Sequence, residues 1–498
     1  MFVAVLLILS GGAVLVPSLQ PVSRTGVSKQ ALLTSDISNV VYAWDPADPR
    51  PERERRRSLF EFIYQSYDSS AWIPQSLLDG NWITRAVLGD DYTIARDRIG
   101  LVPWPENKIV AAYGMAPNPA PGQPLSWSVN CLACHMAEID GIAYFGAGTK
   151  VLDEKALADT VKMVTSSVGR YRLPHGGTDY RTAVHAHEVM RRHHHDQIDP
   201  LTCARSTAFP ASHVEMYMRA HGGVMPSDDL VGRGDVKTPP LWHTAAKLPF
   251  ERWYCDGSFH AALPLMASSM ELELDQSFEK LATSVLPTIK RDFEMVVRHL
   301  RPPRYPYAID HTLAEKGKAL FYSDDIGCYK CHGVYDAKGG VEWTGMHVDV
   351  GTDRARIELV SEGFIDSFNR SPLATEGTLK KSAGYAATPL TGVWANYPYL
   401  HNGSVPTLHH LLGPASERPR LFSVKAARRF DQDRVGQRLY LDRHVERWSE
   451  SERLHRLGDD RNWFNTSRTG CGNEGHDFWS RIKTDANRKA LIEYLKTL

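Results

Sequence analysis

Two short stretches bring thiols and an imidazole together at a spacing that can carry chemistry: Cys131-Leu-Ala-Cys134-His135 and Cys328-Tyr-Lys-Cys331-His332. In a C-x-x-C-H arrangement the two thiols can form thioethers to a porphyrin edge while the adjacent imidazole reaches the iron as its proximal ligand. A structural zinc site would draw four ligands from neighbouring motifs, whereas these pairs stand almost two hundred residues apart. A dithiol redox pair needs neither the trailing histidine nor the repetition. The motifs therefore predict two covalently bound c-type haems, one on Cys131, Cys134 and His135 and one on Cys328, Cys331 and His332.

One haem suits one-electron transfer, and two in a chain can store or relay two oxidising equivalents. What each iron does depends on its sixth position: a second strong ligand closes it for electron transfer, and an open position takes dioxygen or peroxide. Histidines 185, 187, 193, 194 and 195 in "HAHEVMRRHHHD" could bind a transition metal or close a haem. Three consecutive side chains on a helix face different directions, however, so a solvated or propionate-facing role is expected for this cluster. Met136 follows a ligand that already fixes the chain on one side, and Met216 and Met218 are freer candidates for a distal position.

The rest of the chain must position these groups. Its 498 residues are enough for two or three domains with interior for buried cofactors. The 58 basic and 58 acidic residues balance, which argues against a nucleic-acid binder acting through an overall positive field. The first residues, "MFVAVLLILSGGAVLVPS", form an apolar run that resembles an export segment, without a basic n-region or a clean cleavage site and short for a membrane span. A periplasmic or secreted protein is expected, with the N-terminus as a potential membrane anchor. Cys203, Cys255 and Cys471 stand outside the motifs and can form at most one disulfide, leaving one thiol.

Helices are predicted around "RRRSLFEFIYQSY", over 151–169, over 274–300 before the breaker "RPPRYP", in "DHTLAEKGKALFYSDD", and in "TDANRKALIEYLKTL" with Thr484 as cap. Convincing alternating strands are scarce. The fold class expected is mainly α, two c-type cytochrome-like haem domains with long loops and an irregular N-terminal extension. The boundaries fall at 1–23 for the signal or anchor segment, 24–104 for the extension, 105–305 for the first haem domain and 306–498 for the second.

With both motifs stand "VKTPPLWH", "GTDRAR" at 351–356, "ATPLTGVWANYPYLHNGSVPTLHHLL" at 387–412 and the ending "GCGNEGHDFWSRIKTDANRKALIEYLKTL". In this combination the chain resembles the bacterial di-haem cytochrome c peroxidase superfamily, and within it is similar to the branch containing the di-haem rubber oxygenases, over roughly residues 105–498. The resemblance implies a first haem with its distal side available to dioxygen and a second closed by a histidine near the carboxy terminus, which matches His476 in "GNEGHDF". It also implies an apolar distal pocket, for which Leu241, Trp242 and Phe259 are the matching positions, with Trp242 as a candidate bridge between the haems. Glu251, His243 and His260 are the alternative acid/base groups, and no securely placed distal carboxylate of the peroxidase kind is found.

His401, in the loop with Asn402 and Gly403, is expected to support a propionate or the ligand shell, and Arg354 and Arg356 either neutralise propionates or form a solvated cluster. The expected activity is oxidation of a small apolar organic substrate, an alkene if the match extends to chemistry, by dioxygen. The runner-up is reduction of hydrogen peroxide with electrons from an external electron-transfer protein. A non-catalytic electron carrier is third.

Overall fold

A computed structural model describes residues 40–64, 73–78, 96–103, 114–117, 126–193, 203, 207–208, 234, 236–262, 296, 298–371, 374, 377–440 and 442–498. These residues belong to one unit, Asp36–Leu498. The apolar run at the N-terminus, Met216, Met218, His194, His195 and almost all of the helix predicted over 274–300 lie outside the described residues. Among the described residues no helix is long and apolar enough to cross a membrane.

The first motif is followed at once by a hairpin. Strands β1 (Met136–Ile139) and β2 (Ile142–Phe145) pair antiparallel through Asp140-Gly141, both at positive φ, the two-residue turn that matches strand twist. Asp140 is held in place because its carboxylate accepts from Phe430 N and from the Tyr307 hydroxyl at 2.7 Å. The chain after the hairpin then returns to the motif. Gly146 N donates to His135 O at 2.9 Å, Thr149 N donates to Cys134 O at 2.7 Å, and Gly146 O accepts from Leu241 N at 2.7 Å. This segment lies so close to the 238–241 chain that a Cβ on Gly148 would stand 2.0 Å from Thr238 O. Glycine there is required for the approach.

Helix α1 (Glu154–Val164) starts at Asp153, whose side chain accepts from Ala156 N, and packs Val161 and Ala158 against Met190 of α2 (Thr178–His193). The second motif forms α4 (Cys328–His332), preceded by α3 (His311–Phe321) with Asp310 as its cap. Helix α3 crosses the last helix, α5 (Asp485–Lys496), where Thr484 accepts from Asn487 N as the sequence predicts. At the crossing a Cβ on Gly317 would meet Ala490 O at 1.8 Å, so the two backbones touch with no side chain between them. Phe321 of α3 and Leu491 and Leu495 of the last helix are buried and line the same cavity as the second motif.

The expectation of a mainly helical chain needs correction. The fold is moderately helical and carries several small sheets, most antiparallel, with strands of two to four residues. Such strands are too short to show an alternating pattern, which is why they were not visible in the sequence.

The three spare cysteines resolve as a Cys203–Cys471 disulfide with Cα atoms 5.3 Å apart, leaving Cys255 as the free thiol. Cys471 stands five residues before His476, so the bond ties the carboxy-terminal loop to a segment 268 residues away.

Candidate functional site

Both motifs open into one largely apolar cavity. It encloses about 2740 Å³ of space, part of it open to solvent. Its lining includes Cys131, Cys134 and His135, Cys328, Cys331, His332 and His476, and the apolar Leu241, Leu390, Val393, Leu411 and Leu412.

The two motif histidines are set in the same way. His135 Nδ1 lies 3.1 Å from Pro239 O, and His332 Nδ1 lies 2.8 Å from Thr388 O. A carbonyl can only accept, so in each ring Nδ1 carries the proton and Nε2 is left as a lone-pair donor for a metal. Each acceptor carbonyl immediately precedes a Pro-Leu pair, Pro240-Leu241 in the first case and Pro389-Leu390 in the second. Proline fixes the chain as extended at that point and holds the carbonyl still. This repeated Pro-Leu was the sequence signal for both supports, and it went unread.

Burial pushes the His135 imidazole down to about 4 and lowers that of His332, so both rings are neutral, the form that ligates. Burial raises the thiols, Cys328 to about 12 and Cys134 and Cys331 in the same direction. A dithiol redox pair works through a thiolate of lowered pKa, and here burial outweighs the Arg481 charge that favours the Cys328 and Cys331 thiolates. Among the described residues no three His, Cys, Asp or Glu side chains are arranged as a metal-ion site.

His332 faces His476 with ring centres 6.2 Å apart. Two imidazoles that bond one metal from opposite sides at about 2.0 Å place their centres roughly 6 Å apart, since each centroid lies about 1.1 Å behind its nitrogen. His476 lies on a loop held from several sides. Its N donates to Val350 O at 2.9 Å, and the buried Arg418 donates to Gly475 O at 2.8 Å, to His476 O at 3.4 Å and to Asn473 O. Asn402 Nδ2 donates to Gly470 O and Gly472 O at 3.2 and 2.9 Å. Desolvation, with the His332 ring and the Arg418 charge beside it, pushes His476 down to about 3, and its Nδ1 has no hydrogen-bond partner among the described residues. No second imidazole is set edge-on to His135 in this way among the described residues.

Of the three expected pocket residues, Leu241 lines the cavity, and Trp242 and Phe259 are buried outside its lining. Phe259 packs edge-on against Phe368 and beside Tyr254, which does line it. Trp242 Nε1 donates to Thr391 O at 3.0 Å, the oxygen that also accepts from His243 Nε2 at 2.8 Å. The indole thus joins the chain segment supporting His135 to the one supporting His332.

His401 lines the cavity, stacked on Tyr385 with ring centres 3.8 Å apart. Arg354 is exposed and paired with Asp349, whereas Arg356 is buried, 3.8 Å from Asp256 and over the Tyr254 ring. The solvated reading holds for the first arginine only. His187 Nδ1 bonds Lys162 O at 3.0 Å, a tie between α1 and α2, and His185 and His193 share α2. Met136 is buried in β1, Glu251 is exposed at a positive φ, and His260 pairs within a small sheet. Glu154, not singled out from the sequence, is the one carboxylate among the lining residues.

The buried neutral histidines make the fold sensitive to acid. Burial pushes His243 and His410 down to about 3, and His401 to about the same value. The unfolded chain takes up these protons near pH 6.5, the folded chain only near pH 3. Stability is therefore full above pH 6.5 and falls as the pH drops through that window. Each fully buried ring, His243 and His410, contributes up to about 1.4 kcal/mol per pH unit. Thermal unfolding at pH 7.5, 5.5 and 4.5 should show Tm falling at each step; a flat profile contradicts neutral burial.

Residues 384–423 match the family model described as RoxA-like, cytochrome c-like. The chain is 27% identical over 301 residues to Uncharacterized protein y4iJ of Sinorhizobium fredii, covering 47% of each. It is 35% identical over 167 residues to Uncharacterized protein y4iM of the same organism, covering 28% of this chain and 36% of that one. The chain thus spans less than half the length of these curated relatives. The family match covers the loop that carries Thr388, the cis Tyr397–Pro398 bond, His401, Asn402 and Arg418. The likeness to a RoxA-like cytochrome c therefore rests on the segment that supports His332 and clamps the His476 loop.

Proposed function

We propose that the chain is an exported di-haem c-type oxidoreductase, oxygenase-like in its chemistry. Cys131, Cys134 and His135 would hold the first haem, and Cys328, Cys331, His332 and His476 the second. The observation that carries this reading is the His332–His476 separation of 6.2 Å, the span of a bis-imidazole iron, beside a His135 that has no such partner among the described residues. When bound, a haem with an open position takes up a small molecule, and one closed by two imidazoles passes electrons.

The chain's own residues then do the following. Pro239 O and Thr388 O orient the two ligating rings and keep Nδ1 protonated. Leu241, Pro240 and Leu390 keep the cavity apolar, which excludes water and suits an apolar organic substrate. Trp242 supplies a path of bonds and hydrogen bonds between the two sites, through Thr391 O. The Cys203–Cys471 disulfide and the c-type attachment both fit an oxidising compartment outside the cytoplasm.

Hydrogen-peroxide reduction is the second reading, and Glu154 favours it as a carboxylate on the cavity wall. Oxygen uptake measured with isoprenoid alkenes, against peroxide turnover with a reduced small cytochrome, separates the two. The oxygenase reading expects alkene-dependent oxygen uptake that survives Glu154→Gln. Peroxide turnover lost in that variant, with no oxygen uptake, would replace it by the peroxidase reading.

A further inference from the structure

Lys247 ends the short helix Thr244–Lys247, is only 9% exposed and lines the cavity. Its Nζ makes no hydrogen bond or ion pair with any described residue. The other buried lysines nearby are fully engaged. Lys237 Nζ donates to Pro398 O at 2.7 Å and to both oxygens of Asn396, and Lys150 Nζ donates to Ala395 O and Tyr397 O, each at 2.6 Å.

Among the described residues no carboxylate balances Lys247. Asp256 stands with Arg356 and accepts from Ser258 Oγ at 3.0 Å, and Glu154 lies beside Cys134. The groups that feel the Lys247 charge are His243, His347 and Cys255, none of them anionic, since burial holds both rings neutral and the thiol protonated. A buried ammonium that opens onto apolar space is costly unless an anion meets it there.

We propose that Lys247 anchors a carboxylate-binding subsite in the cavity wall. A carboxylate seated there gains a charge-assisted hydrogen bond in a dry setting. Two sources share this chemistry: a propionate of the covalently bound haem, which rests on the function proposed above, and a free organic acid entering the cavity.

The holoprotein and its Lys247→Met and Lys247→Arg variants distinguish them. Methionine keeps the apolar stem and removes the charge, and arginine keeps the charge; far-UV circular dichroism checks that both fold. If a propionate is the ligand, Lys247→Met lowers the midpoint potential of one haem, because losing a nearby cation favours the oxidised iron. The expected change is about tenfold in the one-electron equilibrium, about 59 mV, with Lys247→Arg close to the parent.

If the ligand is a free acid, calorimetric titration with hexanoate shows binding that Lys247→Met weakens about tenfold or more and Lys247→Arg retains, with both potentials unchanged. Unmoved potentials together with hexanoate binding that is absent or equal in all three proteins would overturn the subsite. Haem content by pyridine haemochromogen is read separately. A chain without covalent haem would sink the proposed function and leave the hexanoate titration to decide the subsite.

Discussion

Replacing His476 by alanine is expected to convert one haem per chain from low-spin to high-spin iron. The bis-imidazole signal in ferric electron paramagnetic resonance should disappear. His476 reaches the cavity only because its loop is fixed at Val350 O, by Arg418 on three carbonyls, and by the disulfide at Cys471. Arg418 is 4% exposed, and the hydrogen bonds it makes run to backbone oxygens of this loop and of the 410–411 segment. Arg418→Met should therefore produce the same high-spin species in part, with His332 untouched. A bis-imidazole signal that persists in His476→Ala would remove His476 from the iron.

The second large effect is on cofactor content. Cys328→Ala with Cys331→Ala should abolish covalent attachment at the second site and halve the pyridine haemochromogen absorbance. The pair Cys131→Ala and Cys134→Ala should do the same at the first. Either loss leaves part of a wide apolar cavity without its filling, a destabilisation of at least about 3 kcal/mol by the scale of large-to-small core changes. Unchanged absorbance per chain in either double variant would rule out thioether attachment at that motif.

Much of the chemistry was legible because it is local. Two thiols and an imidazole within five residues, twice, state a donor set without reference to the fold. The helix cap at Thr484 was equally local, since a side-chain acceptor three residues ahead of an amide is written in adjacent letters.

What could not be read depended on distance along the chain. The acceptor for His135 lies 104 residues away and that for His332 lies 56 away, and both are backbone oxygens that carry no residue signature except the proline that follows. The resemblance implied a place in the pocket for both Leu241 and Trp242; the short turn Leu241–His243 sends the neighbouring side chains different ways, Leu241 to the cavity and Trp242 to Thr391. Nothing in the sequence marks Lys247 or Arg418, and only the fold shows them buried.

The central claim is that the two irons differ: one open beside His135, one closed by His332 and His476. Carbon monoxide titration of the fully reduced protein, followed in the Soret band, tests it most directly. The account predicts binding at one haem per chain, with a second equivalent taken up only after His476→Ala. Binding at neither haem, or at both in the parent protein, would contradict it.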